Sequence, residues 1–280
     1  MVTTVKTRPA RRGAGANRVR GSVLSRALLG PVPLVVASVA MAAAIAVAAV
    51  WSRPAHSPAR STPGQAVSQG SMTTVATIDG QAVPVRELAL FLAQERAATF
   101  AYFHERFGAG DHPGFWTTAY GARTPRDYLK SRALKDVTRV TVEQQLARRH
   151  SLVTDTRYAA FRQSLAEENA RRRDALARHQ PVYGPTRYRE ADYFTYVTSR
   201  IGSQLEDTLV EHGDIPVTGT LLRRFYGTHR ADYGQSSFDE VTAEVRQDYT
   251  HAAYQSLIDR RADAATVVVR DGVLAAIQVG

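Results

Sequence analysis

Apolar residues follow three rhythms along this chain. From Leu34 to Trp51 they are continuous, with Leu, Val, Ala, Met and Ile, a single Ser and no charge. Around Val75 to Val83, and again from Ala265 to Val279, short runs rich in Val flank an Asp-Gly pair. Between those ends they return every three or four residues, the spacing that lines one face of a helix. The pattern predicts a mainly α domain over residues 72–280 with a small β-sheet formed by hairpins at its two ends, preceded by one transmembrane helix over residues 28–51.

The helical stretches carry their own start and stop signals. Val85 to about Phe107 contains neither Gly nor Pro, and Leu88, Leu92, Ala93, Ala97, Phe100 and Phe103 recur on a broad face, predicting a buried helix. Thr124, Pro125 and Asp127 form an N-terminal signal for a second helix ending near His150, since Pro costs no hydrogen bond at the first helical position. Thr154 is expected to cap a third helix, with Val153 and Tyr158 as its hydrophobic staple. Phe194, Val197, Ile201, Leu205 and Leu209 define a fourth. Thr218 caps a short fifth helix, and Ser237 with Glu240 makes a capping box for a sixth. Asp79-Gly80 and Asp271-Gly272 are each expected to turn a two-residue hairpin. Two lone hairpins are marginal in water, so the ends of the domain are expected to pair in one sheet.

The continuous run fits a membrane span, because about 20 apolar residues cross a hydrocarbon core of roughly 30 Å. Lys6, Arg8, Arg11, Arg12, Arg18, Arg20 and Arg26 precede it without one acid, so residues 1–27 are expected to stay in the cytoplasm as a basic tail. Residues 52–71, rich in Pro, Ser and Gly, are expected to tether an extracytoplasmic domain. Cleavage as a signal peptide is the alternative; the long basic region and the length of the run favour retention as an anchor at the cell membrane. Charge changes meaning once this is seen. Of the 36 Lys and Arg, seven lie in the tail, leaving 29 against 26 acids, so the basic excess sits beside the membrane and nucleic acid is not an expected partner. With no cysteine, the exported part has no disulfides and relies on burial.

Few residues offer chemistry. His104, Glu105, Asp111 and His112 lie close in sequence but lack the i, i+4 pairing that puts two imidazoles on one helix face, so no metal and no small-molecule cofactor are expected. No Gly-x-Ser-x-Gly elbow occurs, and adjacent carboxylates such as Glu167-Glu168 point in diverging directions. Arg171-Arg172-Arg173 is expected to be a solvated helix face. Phe115, Trp116, Tyr120, Tyr183 and Tyr188 stand in or beside loops. They either cover the core or supply exposed aromatic surface to a bound chain.

Four segments carry a family resemblance. They are Val75 to Leu88 (VATIDGQAVPVREL), Ala147 to Asp155 (ARRHSLVTD), Pro216 to Tyr226 (PVTGTLLRRFY), and Ser237 to Val241 at the head of the last long helix. In their order and spacing they resemble the SurA and PrsA group of extracytoplasmic foldases. The resemblance implies a SurA-N-like helical chaperone module that binds unfolded or exported polypeptides; for such a module Phe115, Trp116, Tyr120, Tyr183 and Tyr188, by their place in or beside loops, are the candidate client-contact residues. In that group a parvulin-type prolyl isomerase domain is inserted before the final helix. Here the corresponding gap, Gly227 to Ser236, is too short to hold one. The expected function is therefore client binding without catalysis. A peptidyl-prolyl isomerase and a dedicated partner-binding protein of a secretion system are the alternatives.

Overall fold

The computed structural model describes residues 67–279; the basic tail, the Leu34–Trp51 run and most of the expected tether lie outside the described residues. Among the described residues no helix is long and apolar enough to cross a membrane. The domain is mainly helical with one small antiparallel sheet. Strand β1 (Thr74–Ile78) turns through Asp79-Gly80 into β2 (Gln81–Pro84), which leads directly into α1 (Val85–Phe107). Both turn residues have positive φ, 46° and 82°, the backbone that Asp-Gly adopts in a two-residue hairpin.

Helix α2 (Pro125–Arg149) is the spine, packing against α1 and, further along, against α4 (Glu190–Glu211) and α6 (Thr242–Ala264). Its start is as expected: the Thr124 hydroxyl accepts from the Asp127 amide at 3.1 Å, a cap worth about 1 kcal/mol. Two cores lie along it. One joins Val75, Ile78, Val83, Leu88 and Leu92 to Leu129, Val137, Phe194 and Ile277. The other joins Leu146 and Ala147 to Ile201, Leu205, Leu209, Ile215, Tyr254 and Ile258. The α4 stripe is therefore buried much as its spacing predicts. Helix α1 is less so, for Ala93 and Ala97 are exposed while Phe91 and Thr99 are buried.

Helix α5 (Gly219–Thr228) is capped by Thr218 as expected, and a 3-10 turn over Arg230–Tyr233 fills most of the gap that follows. The Ser237–Glu240 pair forms, with the Glu240 carboxylate accepting the Ser237 amide at 2.6 Å, but it closes a turn and α6 begins only at Thr242. Helix α3 (Tyr158–Ala177) departs from the sequence reading more clearly. Thr154 does not cap it. Asp155 instead accepts the Arg157 amide at 2.9 Å, and Thr156 bonds across to Gln81, so the chain stays non-helical until Tyr158.

The ends of the domain share one sheet, in the order β2-β1-β3, with β3 spanning Val267–Val269. The expected second hairpin is absent. Asp271-Gly272 opens a short helix, α7 (Asp271–Ala276), and Gly272 does not take positive φ. Lys130 favours this helix, since its ammonium donates to the Leu274 and Ala275 carbonyls at 2.8 and 3.3 Å. The Leu274 carbonyl also accepts the Ile277 amide at 3.3 Å, so Lys130 adds to the pairing at the end of α7. Ile277 then drops into the core and bridges Val67.

Candidate functional site

A groove of about 850 Å3 opens where the β1–β2 turn meets the end of α2 and the approach to α3. Met72 and Ala82 give it exposed apolar surface, buried Pro84 and Tyr158 close it from beneath, and Arg148, Arg149 and Arg157 give it positive charge. Arg157 is tied to Asp155 at 2.5 Å, and this partner holds the Asp155 carboxyl down at about 2. Arg148 and Arg149 have no ion pair among the described residues. They sit in the last turn of α2, where the carbonyl end of the helix favours cations. Gln81 and Thr156 exchange hydrogen bonds of 2.7 and 2.9 Å, which fastens the loop after α2 to β2.

The sheet's hydrogen-bond phase decides what the groove offers. Val75 accepts from Arg270, and Asp79 donates to Thr266, so alternate residues of β1 bond toward β3. Ala76 and Ile78 then bond toward Val83 and Gln81 of β2. Ala82, between those two, turns its own N–H and C=O away from β1, and Ala82 lines the groove. By the same phase Val267 and Val269 present theirs on the outer side of β3. Val267 and Val268 are 39% and 58% exposed there, beside a smaller cleft of about 390 Å3 lined in part by Leu134, Thr138 and Arg139. Each strand offers only one or two free backbone positions. That is enough to align an extended peptide and too little to invite sheet-to-sheet aggregation.

The five aromatic residues singled out by sequence fall into separate groups. Phe115 is 1% exposed and packs with Phe103 and Ala109, so its ring is closed to a partner and serves the wall of the Gly108–Arg123 loop. Trp116 and Tyr120 are half-buried at the margin of that cluster, and Arg96 lies 4.4 Å above the Trp116 ring. Tyr183 is 87% exposed. Tyr188 lies among Tyr193 and Tyr196, at 5.2 and 5.8 Å between ring centroids.

The solvated-face reading of Arg171-Arg172-Arg173 fails at its middle residue. Arg172 is buried against Glu168 at 2.7 Å, donates to the carbonyls of Tyr183 and Pro185, and stacks on Tyr188. It fixes the loop that carries both tyrosines. The loop returns to α3 only in three dimensions, so the sequence gives no sign of it.

Buried and half-buried ionisable groups cluster at the start of α1. Arg86 forks onto Glu190 at 2.7–3.0 Å, and the Tyr158 hydroxyl donates to the same carboxylate at 2.6 Å. Burial pushes the Glu190 carboxyl up, but the bonds from Arg86 and Tyr158 outweigh it and leave it below its usual range. Glu87, the next residue along, is 2% exposed, its Oε2 has no partner, and burial alone pushes it up to about 8. These groups support the floor of the groove through Tyr158. They do not form a nucleophile and base directed at a common point.

Among the described residues, metal-type side chains converge away from the His104–His112 stretch. His104 bonds the Ala109 carbonyl and His112 the Tyr120 hydroxyl, so neither points at a shared centre. His150, His212 and Asp214, far apart in sequence, do converge, with ligand atoms all within 4.8 Å of one another.

No protein-family model matches the chain, and no solved structure matches it. It is similar to a protein of Bifidobacterium longum subsp. longum named as a chaperone for lacto-N-biosidase, with 23% identity over 188 residues. The match spans 65% of this chain and 66% of that protein, a little under two thirds of the relative's length.

Proposed function

We propose that the chain is a chaperone-like, client-binding protein that holds extended segments of exported polypeptide without chemistry. The observation that carries this is the arginine-rimmed groove beside the free edge of β2. An extended segment laid there gains backbone hydrogen bonds from Ala82, apolar contact from exposed Met72 and Ala82, and charge attraction from Arg148 and Arg149. A relative named as a chaperone supports the reading, and the sequence segments that resemble the SurA and PrsA group agree with it. Under it the Leu34–Trp51 run anchors the domain outside the membrane, and Trp116, Tyr120, Tyr183 and Tyr188 extend the contact surface. An isomerase reading has less support, because the Gly227–Ser236 stretch carries only the end of α5 and a 3-10 turn in place of a catalytic insert. A second reading is that the chain serves one client. It is favoured by the relative's name, which mentions a single enzyme.

Light scattering from a chemically denatured client tests the proposal, run beside a protease-coupled assay on a Xaa-Pro peptide. The chain should slow aggregation and give no peptide turnover above the uncatalysed rate. Replacing Arg148 and Arg149 together by Glu should abolish most of that protection while leaving the fold intact, since both side chains are at the surface. Protection unchanged by the double substitution would remove the groove from the account. No protection of unrelated clients, with stable capture of one co-expressed secreted protein, would favour the single-client reading. Turnover of the peptide would replace both with an isomerase.

A further inference from the structure

We propose that His150, His212 and Asp214 form a binding site for a divalent first-row transition ion, with Zn2+ the ion best suited to it. Three features of the backbone place the ligands. His150 ends α2 and His212 ends α4, and each helix closes in the same manner: Ser151 and Gly213 take positive φ, at 61° and 81°. The amides of Leu152 and Ile215 turn back to the carbonyls of Ala147 and Leu209 at 2.9 and 3.0 Å. Leu152 and Ile215 then pack into the same core, so the segments bearing the three side chains are pinned to a common base.

The side chains above that base are poised for coordination. The two imidazole rings are 5.4 Å apart between centroids, and the three ligand atoms lie within 4.8 Å of one another. Tetrahedral bonds of about 2.0–2.1 Å require ligand atoms roughly 3.3 Å apart, which side-chain rotation alone can supply. Among the described residues none of the three side chains makes a hydrogen bond or an ion pair, so binding an ion breaks nothing. The site also receives the carbonyl ends of two helices, whose partial negative charges favour a cation. Two imidazoles and one carboxylate suit Zn2+ and its neighbours better than Ca2+ or Mg2+, which prefer all-oxygen shells. Because His212 and Asp214 are exposed, a fourth position stays open to water or to a donor from a bound protein.

Equilibrium dialysis of the untagged full chain in detergent against Zn2+ measures the site directly. One ion per chain is expected, with affinity reduced at least tenfold by His150→Ala, His212→Ala or Asp214→Asn. The His104→Ala substitution should leave uptake unchanged. Calorimetry gives a readout independent of ion counting, for at about 100-fold excess over Kd the melting temperature should rise by about 5–10 °C. Circular dichroism checks that each variant keeps its helices. Absence of saturable uptake at that excess overturns the proposal, and so does uptake that persists in a folded His212→Ala protein.

Discussion

Replacing Glu87 by Gln gives a quantitative test of the core at the start of α1. In the folded chain this carboxyl is 2% exposed with one oxygen unpaired, and burial raises its pKa from 4.5 to about 8. Once unfolded it meets water and releases its proton near the ordinary value. Between those two pH values the folded state therefore holds one proton that the unfolded state has lost. Stability from this group is fully present below about pH 4.5 and falls as pH rises toward 8, by about 1.4 kcal/mol per pH unit. From pH 5.5 to 7.0 the loss amounts to about 2 kcal/mol. Gln keeps the shape of the side chain and cannot ionise. Urea denaturation of the fragment Pro58–Gly280 and of its Glu87→Gln variant, at several pH values, should give two curves that diverge by that amount over the interval. Asp136, raised to about 6 by burial and Glu95, and Glu143, also raised by burial, titrate in both chains and cancel in the difference. Parallel curves from pH 5 to 8 would refute the reasoning, since they would mean that Glu87 reaches solvent or finds a partner.

Gly202 marks the closest approach within the second core, where a Cβ would lie 2.6 Å from Glu143 Oε1 and 3.4 Å from the Tyr254 hydroxyl. Gly202→Ala should cost about 1–3 kcal/mol by forcing apart the Glu143–Tyr254 hydrogen bond that links α2 to α6. Thermal melts measure it, and a net gain from the better helix former would show that Glu143 swings clear. Removing residues 265–280 takes away β3, Ile277 and the carbonyls that pair Lys130, leaving an open edge on β1. Residues 58–264 should then lose several kcal/mol and unfold non-cooperatively in the same melts; a melting temperature equal to that of Pro58–Gly280 would contradict the shared sheet.

What the sequence reveals here is whatever a local pattern decides. The α4 stripe, the Thr124 and Thr218 caps and the Asp79-Gly80 turn depend on residues within one or two helical turns or a single hairpin, and each stands where its pattern puts it. Thr154 fails as a cap because Thr156 finds Gln81, 75 residues away, and that bond outcompetes a helical turn. Asp271-Gly272 starts a helix whose far end is held by Lys130, 144 residues before the Leu274 carbonyl it donates to. The same limit applies to sites. Arg172 is hidden in a basic run until the loop of Tyr183 folds onto it, and His150, His212 and Asp214 meet only because α2 and α4 end side by side. The groove is likewise invisible in the chain, because it forms where the β1–β2 turn, the end of α2 and the approach to α3 meet, and what it offers depends on hydrogen-bond phase within the sheet. A place in or beside a loop does not distinguish Phe115, which faces inward, from Tyr183, which faces water.

The central position of β1 has a temporal consequence. One side of this strand pairs at once with β2, but the other waits for residues such as Thr266, 187 positions later than the Asp79 it bonds. At about 5–20 residues per second, a chain emerging from the ribosome takes roughly 10–40 s to supply that partner. Throughout that interval the nascent domain carries an unclosed seam along its first strand, and contacts so distant in sequence are the slowest to form. Completion of the sheet is thus coupled to the synthesis of Val267–Val269, and a polypeptide stalled before Val267 remains open to capture by any other strand nearby.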